Sequence, residues 1–359
     1  MPINRFYPSK TALGIAALLA CTVFGAPAQA QGGPTVQANY RLSVFVKSTS
    51  AYSQPDSIVR WRHSILVGYQ NHVAKDGTDG GFSTIVQYGL DGTAQRTFQV
   101  KGHNDGLRIV GEDHLWALQN EDANPNLVVI NLESGHQKAY TFPPTPHGGG
   151  YDDMAIKDGH IFVTASNPNL DSNGVNDFPA LVEVHLDGDT VDVTPVLNGN
   201  AAAFDIPTGK AITLNLTDPD SLTIDPRGNI LLDDQQDGEL VFIRKPLSPN
   251  PIVGQLTLTL GEGSGPGSIT VDDTAFPRTP RDFLLFSDVG AGIVYRLDSR
   301  VFGFEPGVPY SASDTGGFVA VLNLDSGLLT PIGTGFQSTR GMIFVSPASE
   351  DVDDHDDDR

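Results

Sequence analysis

Acids and amides recur at one phase of this 359-residue chain. Asp56, Asn104, Asp152 and Asp220 stand at the starts of successive apolar runs, with Asp105 and Asp153 adjacent. Hard oxygen donors brought to one place suit calcium, which takes about six to eight oxygens at roughly 2.3–2.6 Å. Without a cation such carboxylates repel, and at least one must hold a raised pKa. A single Asp or Asn at a strand start binds nearby backbone amides as a turn former. Repetition at the same phase is what favours a metal, so Asp56, Asn104, Asp152 and Asp220 are expected to converge on a calcium ion.

Other patterns fail on inspection. No Gly-x-Ser-x-Gly elbow offers a hydrolase serine. The glycine-rich run 261–267 lacks a lysine and leads into a strand, so it is a loop and not a phosphate cradle. Residues 169–174 imitate the opening of an EF-hand loop, but the twelfth position is Ala180 and not Glu, which reads as a surface turn.

The elements that position these residues read as strands throughout. Short apolar or alternating runs, such as 83–88, 127–130, 181–184 and 318–322, are each followed by a turn dipeptide: Asp91-Gly92, Ser134-Gly135, Asp187-Gly188 and Ser326-Gly327. Strand, tight turn, strand is the hairpin pattern, and its recurrence predicts an all-β domain. A longer period lies above the hairpins. The motifs at Pro55-Asp56-Ser57, Asn104-Asp105-Gly106, Asp152-Asp153-Met154, Pro219-Asp220-Ser221, Pro266-Gly267-Ser268 and Arg340-Gly341-Met342 are separated by 49, 48, 67, 47 and 74 residues. A period of about 40–50 residues with about four strands per unit predicts a β-propeller. Six motifs predict six blades, with inserted loops around 198–216 and 301–317. Too few residues follow Met342 to finish the last blade, so Tyr40–Lys47 is expected to return and close the ring, removing its edge strands.

These motifs resemble those of the senescence-marker-protein/gluconolactonase family of calcium-dependent six-bladed propellers. Asn104-Asp105-Gly106 matches that family's Asn-Asp-Gly motif, and Pro219-Asp220-Ser221 matches its Pro-Asp-Gly motif with Ser in place of Gly. The first-blade position holds Asp56 where the family has Glu, and the Pro-Asn-Gly position reads Tyr151-Asp152-Asp153. The resemblance implies a calcium-dependent hydrolase of lactones or related esters, with Asp220 as acid/base; the two departures put that activity in question more than the fold. His103 and His147, which precede channel strands, are candidates to assist proton transfer.

Composition bounds the rest. Residues 1–30 read as a signal peptide: Arg5 and Lys10 make a basic start, residues 11–25 an apolar run, and Ala28-Gln29-Ala30 a cleavage site. The mature chain then begins at Gln31 and is periplasmic or secreted; the competing reading is a lipoprotein anchored at Cys21. Cys21 is the one cysteine, so cleavage after Ala30 excludes disulfides and thiolate metal sites. Removal of Arg5 and Lys10 takes the formal charge from −21 to −23. Such acidity repels nucleic acid and favours cations. The propeller domain is assigned to 31–348 and an acidic disordered tail to 349–359. Nothing after the signal peptide predicts a membrane span. A small-molecule substrate and a protein partner both remain open. The alternative to the hydrolase is a propeller without catalysis, serving as an extracytoplasmic binding or scaffold module.

Overall fold

A computed structural model describes residues 32–261 and 269–347. The predicted signal peptide, the Cys21 alternative, the acidic tail and most of the 261–267 loop lie outside the described residues. No helix among the described residues is long and apolar enough to cross a membrane. Among the described residues the fold is all-β, a β-propeller.

The strands fall into antiparallel units of four. The first three run in simple order: Pro55–Trp61, Ser64–Tyr69, Phe82–Gly89 and Ala94–Lys101; then Asn104–Val110, His114–Gln119, Asn126–Asn131 and Gln137–Thr141; then Gly150–Lys157, His160–Ser166, Pro179–Asp187 and Thr190–Asn198. A single parallel pairing, Thr141 with Thr190, joins the second and third at their outer edges. The fourth unit, Pro219–Ile224 through Ile252–Thr257, gains a hairpin from Ala202–Asp205 and Ala211–Thr213, so the predicted 198–216 loop contains two short strands.

The last two units are interleaved, which corrects the reading of the long final interval. After the inner strand Asp273–Ala275 the chain departs to build Phe283–Asp288 and Ile293–Ser299 of the sixth unit. It then returns through Tyr310–Ser313, Phe318–Leu322 and Leu329–Thr334 to complete the fifth, before Thr339–Val345 supplies the inner strand of the sixth. Residues 301–317 are therefore this return and not a simple insertion. The expected fifth motif at Gly267 is also displaced, because the inner strand begins at Asp273. Tyr40–Lys47 completes the sixth unit, antiparallel to Ile293–Ser299.

Sequence explains these choices locally. Strand interiors carry β-branched and aromatic residues that alternate or run apolar where both faces are covered. Turns carry glycine where the backbone must be left-handed: Gly188, at φ +60°, closes the hairpin in which Asp187 opposes Thr190.

The buried apolar side chains gather in six clusters, each between neighbouring units. Leu66, Ile85 and Phe98 of the first meet Leu115 and Val128 of the second. Trp116 and Leu127 meet Met154 and Val182, and Phe162 and Leu181 meet Leu222 and Leu232. Leu240 and Leu256 meet Phe318 and Leu329; Tyr310 and Val319 meet Phe286 and Tyr295. Phe283 and Val294 of the last unit return to Ile58 and Val67 of the first. The innermost strands follow the same circuit, each in contact with the next, and that of the last with that of the first. The ring closes by packing of the last unit on the first, which leaves each unit only its short outer edge.

Candidate functional site

Four inner strands begin with the same irregularity. Pro55 opposes Tyr69, Asn104 opposes Gln119, Tyr151 opposes Ala165 and Pro219 opposes Asp234; two residues then interrupt each ladder before regular pairing resumes. Bulges re-aim side chains at sheet ends and occur beside functional sites. The first residue of each bulge is an acid: Asp56, Asp105, Asp152 and Asp220. In the fifth unit Asp272 takes the corresponding place, and in the sixth Arg340. The equivalence is fixed by the following residue. Asp153 Oδ2 accepts from the Leu222 amide of the next strand at 3.0 Å, and Asp273 Oδ2 from the Met342 amide at 2.8 Å.

The result is a ring of five carboxylates and one guanidinium at the mouth of a channel of about 1730 Å³ lined by all the inner strands. Every one of the five acids is less than a tenth exposed. Contacts run round the ring. Arg340 lies 4.0 Å from Asp56 and 3.5 Å from Asp272. Gln70 Nε2 donates both to Asp56 Oδ2 and to Asp105 Oδ1. His103 Nε2 is 3.2 Å from Asp105 Oδ1. Glu121 pairs with Lys75 and is hydrogen-bonded to Asp152, which in turn is bonded to Asp220. Gln235 Nε2 donates to Asp272 Oδ2 at 2.9 Å.

Burial governs the protonation of this ring. Desolvation, reinforced by the charge of neighbouring acids, holds Asp152, Asp220 and Asp272 well above the usual carboxylate range. Asp56 is also raised by burial, with Arg340 opposing. Asp105 is pushed up to about 7 by burial and Glu121, with His103 opposing. Glu121 alone is lowered: burial pushes it up, but Lys75 and the bond from Asp152 outweigh that. The Glu121–Asp152–Asp220 contacts join carboxyl to carboxyl, which demands shared protons or a cation between them.

The structure places the predicted residues unevenly. Asp56, Asp152 and Asp220 face the mouth. Asn104 does not: it is fully buried, its Nδ2 donates to the Leu118 carbonyl at 2.9 Å, and the residue that faces the ring is Asp105. His103 stands beside Asp105. His147 is away from the channel lining, its Nε2 donating to the Gly150 carbonyl at 2.8 Å and its ring set edge-on against Tyr151. Burial lowers the His147 pKa, consistent with a neutral ring. Asp171 is a turn former, its Oδ1 accepting from the amides of Asn173 and Val175. Among the described residues, the histidine and acidic donor atoms that lie within 4.8 Å of one another as a group belong to His103, Asp105 and Glu121.

Several ring residues escaped the sequence reading. Asp272 carries a signal in retrospect, since Asp272-Asp273 repeats the Asp152-Asp153 doublet. Gln70 and Gln235 each stand one residue beyond the second strand of their unit, and Glu121 two beyond.

No family profile matches the chain, and no curated protein matches it in sequence. Among solved structures it is similar to a streptogramin B lyase at 12% identity, covering 81% of this chain and 72% of that one with a TM-score of 0.45. It is similar to the virginiamycin B lyase of Staphylococcus aureus at 10% identity, covering 81% and 87%, TM-score 0.47. It also resembles a candidate gluconolactonase at 13% identity, covering 84% and 83%, TM-score 0.44. These likenesses concern the backbone at a coarse level, and the chemistry of the mouth is read from this chain's own residues.

Proposed function

We propose that this protein is exported, binds calcium at the acidic mouth of its channel and there hydrolyses a lactone or related ester. The observation that carries the proposal is the ring itself. Asp56, Asp105, Glu121, Asp152, Asp220 and Asp272 face Arg340 and Lys75, so carboxyls outnumber the permanent cations that meet them. Asp105 Oδ2 is buried without a hydrogen-bond partner. A hard dication fits that donor set, because it replaces the shared protons and satisfies the orphaned oxygens together.

Asp152 and Asp220 are the residues best placed to hold it, with Glu121 and Asp272 flanking. Calcium there would polarise a substrate carbonyl. Asp220, raised by burial and Asp272 while the ring is empty, would lose its proton as the ion binds, and its carboxylate is then the group to accept and return a proton in general base catalysis. Arg340, shared between Asp56 and Asp272, holds the far side of the ring and presents a cation to a developing carboxylate product. The channel volume leaves room for a small-molecule substrate. Export is supported by the basic start, apolar run and Ala28-Gln29-Ala30 of the first thirty residues.

The test is calorimetric calcium titration of the purified protein, followed by a lactone and aryl-ester panel with and without chelator. Calcium uptake and chelator-sensitive turnover, both lost in Asp220→Asn, are expected. Absence of calcium uptake overturns the reading. Uptake without turnover leaves the binding module in its place. Mass spectrometry should find the mature N-terminus at Gln31; an acylated Cys21 would replace it with the lipoprotein.

A further inference from the structure

We infer that His103, Asp105 and Glu121 form a second site, overlapping one side of the mouth, for a transition-metal dication of the zinc or cobalt(II) class. Their donor atoms all lie within 4.8 Å of one another, and each residue is less than a tenth exposed. His103 fixes the chemistry. Its Nδ1 lies 2.6 Å from the Val73 carbonyl, which can only accept, so Nδ1 carries the proton. With Nδ1 held protonated, an entering dication that displaces any proton on Nε2 meets the Nε2 lone pair, and Nε2 faces Asp105 Oδ1 at 3.2 Å with no hydrogen bond made there. A backbone carbonyl orienting the remote nitrogen of an imidazole is the outer-shell arrangement that metal-ligating histidines use.

The loop that supplies Glu121 is built onto the backbone of His103 itself. Asn120 Oδ1 accepts from the His103 amide at 2.9 Å, and the Asn120 amide donates to the His103 carbonyl at 2.7 Å. Asn120 Nδ2 also bonds the Asn124 carbonyl at 3.0 Å. Histidine and glutamate are thus held in fixed relation before any ligand arrives. One imidazole nitrogen with two carboxylates suits zinc or cobalt, whereas calcium prefers oxygen alone. At zinc bond lengths of about 2.0–2.2 Å, ligand atoms around one ion stand roughly 3.4 Å apart, close to the edge already present between His103 and Asp105.

Lys75 occupies Glu121, and its side chain is about half exposed, so it can leave toward solvent when the dication enters. The inference shares Asp105 and Glu121 with the acidic mouth but does not need calcium or catalysis.

The test is titration with zinc alone and cobalt(II) alone by calorimetry, with imidazole NMR of His103. A single site of order one ion per chain is expected, with the His103 Nε2 resonance moving and Nδ1–H retained. His103→Gln should weaken zinc by roughly a hundredfold or more, since even an outer-shell loss costs about 10–100-fold. Lys75→Met, which changes only the half-exposed competitor, should tighten zinc several-fold and keeps the test decisive should His103→Gln not fold. Equal zinc affinity in wild type and His103→Gln overturns the inference, as does unchanged or weaker zinc binding in Lys75→Met. Zinc retained in an Asp220→Asn protein that has lost calcium shows two distinct donor sets. Zinc bound by a wild type that takes no calcium sinks the calcium reading alone.

Discussion

At the mouth of the channel one amide serves two carboxylates, because Gln70 Nε2 donates to Asp56 Oδ2 and to Asp105 Oδ1 at 2.9 Å in a setting where neither acid reaches bulk water. Leucine there would fill similar space and remove the shared donor. Leaving buried acceptors unsatisfied costs about 1–3 kcal/mol each, so Gln70→Leu should lower unfolding free energy by about that much at pH 8. The loss should shrink at pH 5, where Asp105, pushed up to about 7, is protonated and can donate to a neighbouring carboxyl; urea titration at both pH values reads the difference, and an equal loss at both would remove Gln70 from the electrostatics. The intervals of the repeat put Asp56, Asp105, Asp153 and Asp220 in phase, and of the candidate ligands chosen from those motifs Asp56, Asp152 and Asp220 face the mouth. The choice of Asn104 over Asp105 missed by one residue, as the phase itself did at Asp153, because successive side chains in a strand take opposite faces and a slip of one exchanges channel for blade interior. Gln70, Gln235 and Glu121 were hidden for a different reason: they sit past strand ends, where no periodicity marks them.

The bulges at the inner-strand starts work as elements as well as perches for acids. Their second residues stitch each unit to the next. Ser57 Oγ donates to the Asp105 carbonyl, Asp153 and Asp273 cap amides of the following strand, and Gly106 and Gly341 leave space for a neighbouring carbonyl. A methyl group on Gly106 would overlap the backbone oxygen of Asp152 and press on Asp153 Cα. Backbone cannot rotate away as a side chain can, so Gly106→Ala should destabilise by about 1–3 kcal/mol, the usual cost of overpacking. The change should also widen the ring at Asp105–Asp152 and weaken calcium. Denaturation and calorimetry on the same variant check both, and a stability equal to wild type would mean that the inner strands are looser than drawn. Hairpins and turns were legible because their signals are local: residues 83–88, 127–130, 181–184 and 318–322 all fall within strands. The interleaving of the last two units was not. Which sheet a strand joins is decided by long-range packing, such as Phe286 and Tyr295 against Phe336, and leaves no trace in spacing.

Across the whole molecule the acids that stay buried set how stability responds to pH. Asp152, Asp220 and Asp272 are raised well above 3.8 by burial and by neighbouring acids, Asp105 and Asp273 to about 7, and Asp218 to about 6. The unfolded chain titrates these groups near 3.8, so from about pH 4 upward the native state binds more protons than the unfolded one. Stability must then fall as pH rises through the folded values, by about 1.4 kcal/mol per pH unit for each proton of net difference. His103, raised to about 9 because Asp105 and Glu121 outweigh its burial, adds to the same trend above pH 6.5. Glu121, held low, opposes it, but the raised groups are more numerous. Self-repulsion in a chain of formal charge −21 pushes the same way. A cation bound in the mouth takes the place of the shared protons and removes the dependence, and ligand at a hundredfold above its dissociation constant adds roughly 2.7 kcal/mol besides. Metal-free protein in chelator should therefore melt several degrees lower at pH 8 than at pH 5.5, whereas saturating calcium should flatten the curve. Asp220→Asn should reduce the slope in chelator and respond less to calcium. A melting temperature in chelator that holds level or rises across this range would show that the ring is not protonated when empty, and the case for a cation there would fall with it.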